Sequence, residues 1–224
     1  MTQNALINLP FKIKLFLLVF SLAAPIYQAV GETNEKWVEI NEEDGIKVFS
    51  RDVKGSSLVA FRGETEFEEP MEKIMWVLKD GKRRGEWIEL YLKGRTLEER
   101  GPFEEVIYQA VDSPWPVNDR DMIFLSKAYR LKEDTVQIEM KSIDYPNGPE
   151  TVGVRMTLHF SKYVFKKLKN GGTHVTLEIL SDPMGWIPKW VVNMVQKNYP
   201  VKLFKALKKQ VKKPFVKSHP MPQK

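Results

Sequence analysis

Cysteine is absent from the 224 residues, which excludes disulfides, thiolate metal ligands and a cysteine nucleophile. Histidine is scarce. His159, His174 and His219 lie in separate segments, too far apart in sequence to suggest a histidine-rich metal site. The chain contains no GxSxG, HExxH, P-loop or GxGxxG motif, so the hydrolase, zinc-protease and nucleotide sites that those motifs build are not signalled, and no cofactor is implied. Glu98-Glu99 and Glu104-Glu105 are adjacent pairs. On a strand such neighbours point to opposite faces and form no acid/base dyad. No internal repeat or low-complexity stretch interrupts the chain.

What is present fits one globular body. Hydrophobic residues make up 42% and charged residues 29%, a composition that supports a sizeable core. Residues 1–31 have the pattern of a cleavable leader: Lys12 and Lys14, then the uncharged apolar run LFLLVFSLAA (15–24), then small residues Ala29 and Gly31 before a cut. The run is shorter than the ~20 residues of a spanning helix. The expectation is a signal peptide over 1–31, cleavage near Gly31 and an exported protein, periplasmic or secreted; the alternative is an uncleaved anchor. The domain is then 32–213, with a flexible tail over 214–224.

Charge is segregated. Of the formal +6, residues 183–224 carry ten lysines and no arginine or acid, and the body from 32 to 182 is net negative. An anionic membrane surface is therefore a candidate partner; a solvated lysine face is the alternative. Nucleic acid is not expected, because the basic segment lacks arginine and interleaved stacking aromatics.

Hydrophobic periodicity predicts an α+β order. IKVFSR after a turn at Asp44-Gly45, then LVAFRGETEF (58–67), read as strands. Met71, Ile74, Met75 and Leu78 after Pro70 read as a helix. GKRRGEWIEL reads as a short basic helix. Six alternating stretches between 90 and 182, bounded by Gly, Pro and Asn turn signals, read as antiparallel strands. A long amphipathic helix starts near Pro188, with Pro200 expected to kink or split it. A curved sheet closed by one long helix leaves a volume that is a ligand cavity if side chains do not fill it.

Three segments carry a family resemblance: PWPVNDRDMIFL (114–125), SDPMGWIPKWVVNMVQKNYPVKLFKAL (181–207) and RRGEW (83–87). Together they resemble the START (StAR-related lipid transfer) family, over roughly residues 35 to 212. The resemblance implies a helix-grip fold, an antiparallel sheet wrapped around a C-terminal helix with an internal cavity. It also implies non-catalytic binding and transport of one lipid or other hydrophobic molecule, with the helix as lid, in a monomer. A helix-grip enzyme of cyclase or aromatase type, acting on a hydrophobic substrate, is the alternative. Lipid contacts implied by the resemblance are Arg84, Trp87, Gln109, Arg120, Ser126, Arg155, Trp186, Trp190 and Met194.

Arg84 matches the phosphate-binding arginine of the family's phosphatidylcholine carrier. The position after the helix tryptophan, acidic there, is Ile88 here, and Ser126 stands where sterol and phosphatidylcholine carriers often have a second arginine. Neither specificity transfers. Arg120 and Asp121 are expected either to pair locally or to meet the ligand. Arg155 is expected to line the cavity or to face solvent. Trp186, Trp190 and Met194 are expected in the core or cavity wall.

Overall fold

In the computed structural model, which describes residues 36–187 and 189–223 (by backbone alone over 189–197), the chain opens with a hairpin. Strand β1 (Val38–Glu43) returns as β2 (Ile46–Asp52) through Asp44 and Gly45, both at positive φ (51° and 69°). That backbone suits a two-residue turn whose twist matches the strands. β3 (Val59–Phe67) follows, then helix α1 (Met71–Lys79), with Pro70 at its N-cap and Met71, Ile74, Met75 and Val77 buried. A 3-10 turn (Gly81–Glu86) occupies the place of the predicted short basic helix.

The remaining strands are β4 (Tyr91–Gly101), β5 (Glu104–Val111), β6 (Arg120–Lys132), β7 (Thr135–Ser142), the two-residue β8 (Val154–Arg155), β9 (Thr157–Lys167) and β10 (Thr173–Asp182). They form one curved sheet in the order β1-β2-β3-β10-β9-β7-β6-β5-β4, antiparallel except for β8, which lies parallel beside β6. The junction of the early hairpin with the later meander is β3 against β10, with Thr173 opposite Phe67.

Helix α2 (Lys189–Val211) packs on the concave side. Pro200 lies inside it, and the helix is not split there. Val201, Leu203, Phe204, Leu207 and Val211 enter one core with Val48, Phe67, Ile74, Val136, Phe165 and Leu177. Phe204 is fully buried and meets Phe67 edge-on at 6.2 Å. The helix comes this close because β3 has Gly63 beneath it: a Cβ there would lie 2.8 Å from Phe204 Cε2 and 2.9 Å from Pro200 Cβ.

The tail departs from expectation. Instead of running free after Pro214, it packs on the body. Phe215 lies against Trp76, Val216 is buried, the His219 amide donates to Glu72 O (3.0 Å), and Arg130 Nε donates to Pro222 O (2.9 Å). Val216 joins the main core, and Phe215 and Met221 pack against it. Among the described residues no helix is long and apolar enough to cross a membrane, and no acidic or histidine cluster could hold a metal ion.

Candidate functional site

Alternation along β5 and β6 sorts their side chains into two environments. Ile107 and Phe124 belong to one apolar cluster, with Met122 and Met140 packed on it; Val106, Tyr108, Ala110 and Ile123 belong to another. Gln109 sits opposite Met122, and Ser126 opposite Met140. Both are therefore on the face of Ile107 and Phe124, which looks toward the interior.

On that face is a hollow of about 40 Å³, walled by Met75, Leu78, Ile107, Ile138 and Met140, with Lys79, Arg84, Glu105 and Ser126 as its polar lining. The tail adds His219 and the β4–β5 hairpin adds Phe103. Among these, the sequence reading anticipates Arg84 and Ser126. It misses Lys79, Glu105, Phe103 and His219. Alternation alone puts Phe103, Glu105 and Ile107 on one side, and that was the available signal.

The electrostatics centre on Arg84, delivered by the 3-10 turn and only 5% exposed. One terminal nitrogen, Nη2, donates to Leu78 O at a long 3.5 Å, while the other, Nη1, is buried without a hydrogen-bond partner. Burial pulls the Arg84 pKa down, opposed chiefly by the Glu105 carboxylate. A guanidinium does not lose its proton in a protein, so the site keeps a poorly compensated positive charge beside apolar walls. Glu105 is held separately, by Lys79 Nζ at 2.9 Å and Thr96 Oγ1 at 3.1 Å. Trp87, next along the turn, is 8% exposed and its Nε1–H also has no partner. It borders a second groove of about 340 Å³ between residues 85–89 and the α2 positions Ala206, Lys209 and Gln210.

The remaining expected contacts are placed differently. Arg120 and Asp121 do not pair, because strand neighbours diverge. Arg120 reaches the carbonyls of Asn118, Pro183 (3.4 Å) and Met184 (3.3 Å), tying the loop before β6 to the loop before α2. Asp121, fully buried, accepts from Arg155 Nε, from the Val152 amide (2.8 Å) and from Tyr108 Oη (3.4 Å). Arg155 is thereby a strut: it also donates to Pro149 O at 2.7 Å, and it shares Asp121 with Tyr108, a member of the cluster on the other face from Ile107. Trp186 is 76% exposed, not wall or core. Met184 and Gly185, both at positive φ (53° and 66°), turn the chain sharply just before it. Trp115, in the facing loop, is 89% exposed. Trp190 and Met194 fall on α2, but their side chains lie outside the described residues.

Among the described lysines on and just after α2, five are engaged. Lys202 meets Glu89 (2.6 Å), Lys205 meets Glu43 and Asp44, Lys212 meets Glu68 (3.0 Å) and Lys213 meets Glu86 (2.8 Å). Lys208 donates to Thr65 Oγ1 at 2.9 Å. Lys205 holds the Asp44 carboxyl below its ordinary pKa, and Gln210 with Lys213 does the same for Glu86. The acidic body and the basic helix therefore answer each other within one molecule.

The family model of the START domain matches residues 18–215. An uncharacterized protein of Pseudomonas aeruginosa is 28% identical over 194 residues, 86% of this chain and 95% of that one. The phosphatidylcholine transfer protein of Bos taurus is 25% identical over 167 residues, 72% of this chain and 78% of its own length. Among solved structures, human StAR-related lipid transfer protein 5 superposes with a TM-score of 0.72 at 19% identity, covering 90% of this chain and 92% of that one.

Proposed function

The chain belongs to the START domain family, and from that premise we propose that it binds and carries, without catalysis, one lipid or other hydrophobic molecule on the concave side of the sheet beneath α2. The observation that carries this reading is Arg84, a buried cation with an unpartnered donor at the end of an apolar-walled hollow. Apolar chains gain roughly 25 cal/mol per Å² on leaving water. The unsatisfied guanidinium nitrogen offers an anionic or strongly accepting head group a charge-assisted hydrogen bond. Phosphate is one such group, and the named Bos taurus relative is a phosphatidylcholine transfer protein. The hollow of about 40 Å³ has room for a few water molecules only, so a ligand head must displace its walls.

We propose further that residues 1–31 are removed on export and that α2 is the lid. Native mass spectrometry of protein purified from its own host tests the cleavage and the carriage of a ligand together. The expected mass is that of a chain starting near Glu32, with one non-covalent lipid adduct. No adduct, together with no binding of a phospholipid, a sterol or a fatty acid, overturns the carrier reading. An intact Met1 together with cytoplasmic fractionation overturns the export reading alone.

Uptake requires contact with a membrane. The pairing of Lys202, Lys205, Lys208, Lys212 and Lys213 argues against their use as a free cationic face, and the exposed aromatic loops offer the better surface. Trp115 and Trp186, with Met184 43% exposed, stand on two loops that Arg120 ties together at the foot of α2. Tryptophan prefers the bilayer interface. The nearby acids Asp112, Asp119 and Asp182 are occupied by the amides of Ser113 and Met184. Insertion here is driven by apolar burial and should be insensitive to salt. Replacing both tryptophans (Trp115→Ser with Trp186→Ser) is expected to weaken binding to phosphatidylcholine vesicles about tenfold or more, since burying one aromatic side chain is worth about 1.5–3 kcal/mol. Flotation at low and high salt measures it. Equal flotation of variant and wild type removes the loops from the docking surface.

A further inference from the structure

Residues 215–222 follow α2 without forming helix or strand, yet they cross α1, the 3-10 turn, the β4–β5 hairpin and β6. Their anchors are few and discrete. Phe215 sits on Trp76 at 6.2 Å, with the Arg83 guanidinium over its ring at 4.5 Å. The His219 amide holds Glu72 O, its ring meets Phe103 edge-on at 6.0 Å, and Arg130 holds Pro222 O. His219 and Phe103, from the tail and the hairpin, line the same small hollow as Arg84, Lys79 and Glu105.

From this arrangement we propose that the C-terminal tail is a removable wall of the ligand site, a strap that closes the Arg84 end and lifts to pass the ligand's polar head. The inference rests on the carrier reading above. Its physical basis is a difference in what each exit crosses. A head group leaving beneath the lid helix is dragged along apolar side chains, where polar and charged groups are poorly tolerated. A head group leaving past His219 crosses the stretch already lined by Lys79, Glu105 and Ser126. The strap is also the easier element to open. Segments with few buried contacts and few backbone hydrogen bonds open at low free energy, and three prolines (Pro214, Pro220 and Pro222) leave fewer amides to bond and keep the segment stiff, so that it hinges as a unit. Because Lys213 and Val216 donate to Gln210 and Lys213 carbonyls, the strap continues directly from the last turn of α2, and its motion is coupled to the helix.

The test compares three full-length-derived proteins: wild type, a chain ending at Lys213, and Arg130→Met, which frees the Pro222 end while leaving every residue of the hollow in place. The probe is a phosphatidylcholine with a fluorescent acyl chain, and the readouts are its dissociation rate into excess vesicles and its equilibrium affinity. Truncation is expected to speed release about tenfold and Arg130→Met about threefold, with affinity falling by less than the rate rises because uptake speeds as well. If Arg130→Met leaves the release rate unchanged and the truncated chain, folded by circular dichroism, does too, the strap is no gate. If the truncated chain does not fold, the rate for Arg130→Met decides alone. Failure of the wild type to bind this probe or any lipid overturns the carrier reading and this proposal with it, and is recognisable because it precedes any comparison of variants.

Discussion

Phe204→Ala is expected to lower the unfolding free energy by about 3–5 kcal/mol, the usual cost of emptying a fully buried phenylalanine site. For a domain of this size, that moves the thermal midpoint down by roughly 10 °C. Urea unfolding followed by circular dichroism measures it. The size of the effect comes from how little the site can collapse. Phe204 is wedged between the Phe67 ring and the bare backbone of Gly63, with Pro200 one turn earlier on the same strand surface. Neither the glycine nor the proline can move a side chain into the void. A loss below about 1 kcal/mol would mean that α2 settles onto β3 without its aromatic wedge, and would refute the account of this junction.

Arg84→Met should have two effects of opposite sign. The ligand-free protein is expected to gain about 1–2 kcal/mol, because an apolar side chain of similar length replaces a buried charge whose compensation is poor. Affinity for an anionic lipid is expected to fall about a hundredfold, two tenfold steps of ~1.4 kcal/mol each, through loss of the charge-assisted bond to the head group. The substitution strands no partner: Glu105 keeps Lys79 and Thr96, and Leu78 O loses only a long contact. Paired melts and lipid titrations separate this from a structural role. A variant that is less stable and binds as well as wild type makes Arg84 a structural ion.

Much of the architecture was legible because it obeys period. The alternation of IKVFSR, LVAFRGETEF and the six later stretches, with turns marked by glycine, asparagine and proline, becomes β2 to β7, β9 and β10. β1 was missed because VEINEE is a short edge strand with little buried surface, whose alternation stops after Val38 and Ile40. Period also marked the long C-terminal helix; the START resemblance supplied the way the sheet wraps around it.

Side-chain fates were legible only where a local rule sufficed. Glu104 and Glu105 diverge as strand neighbours must, Glu104 to Lys127 and Glu105 to Lys79. The same rule separates Arg120 from Asp121, whose partners lie at 183–184 and at 152–155, distances no local pattern encodes. Trp186 looked like wall because tryptophan is mostly buried; two successive positive-φ residues put it outside. The tail looked loose because Phe215, Val216 and Met221 have no common period among prolines and lysines, while their contacts are with residues more than half the chain away.

The pairing of β3 with β10 has a consequence for how the chain reaches this state. Thr173 Oγ1 bonds Glu69 O across 104 residues of sequence, and the sheet is continuous only once β10 has been made. Until then the early hairpin and the meander are two open fragments, and the helix that covers both follows all ten strands in the chain. Loop-closure entropy must be met before those distant contacts form, and topologies of this kind fold slowly. A ribosome-bound chain thus exposes its apolar concave face until α2 has emerged. Folding is postponed until α2 is made, and a chain that stops before α2 lacks the element that covers the concave core.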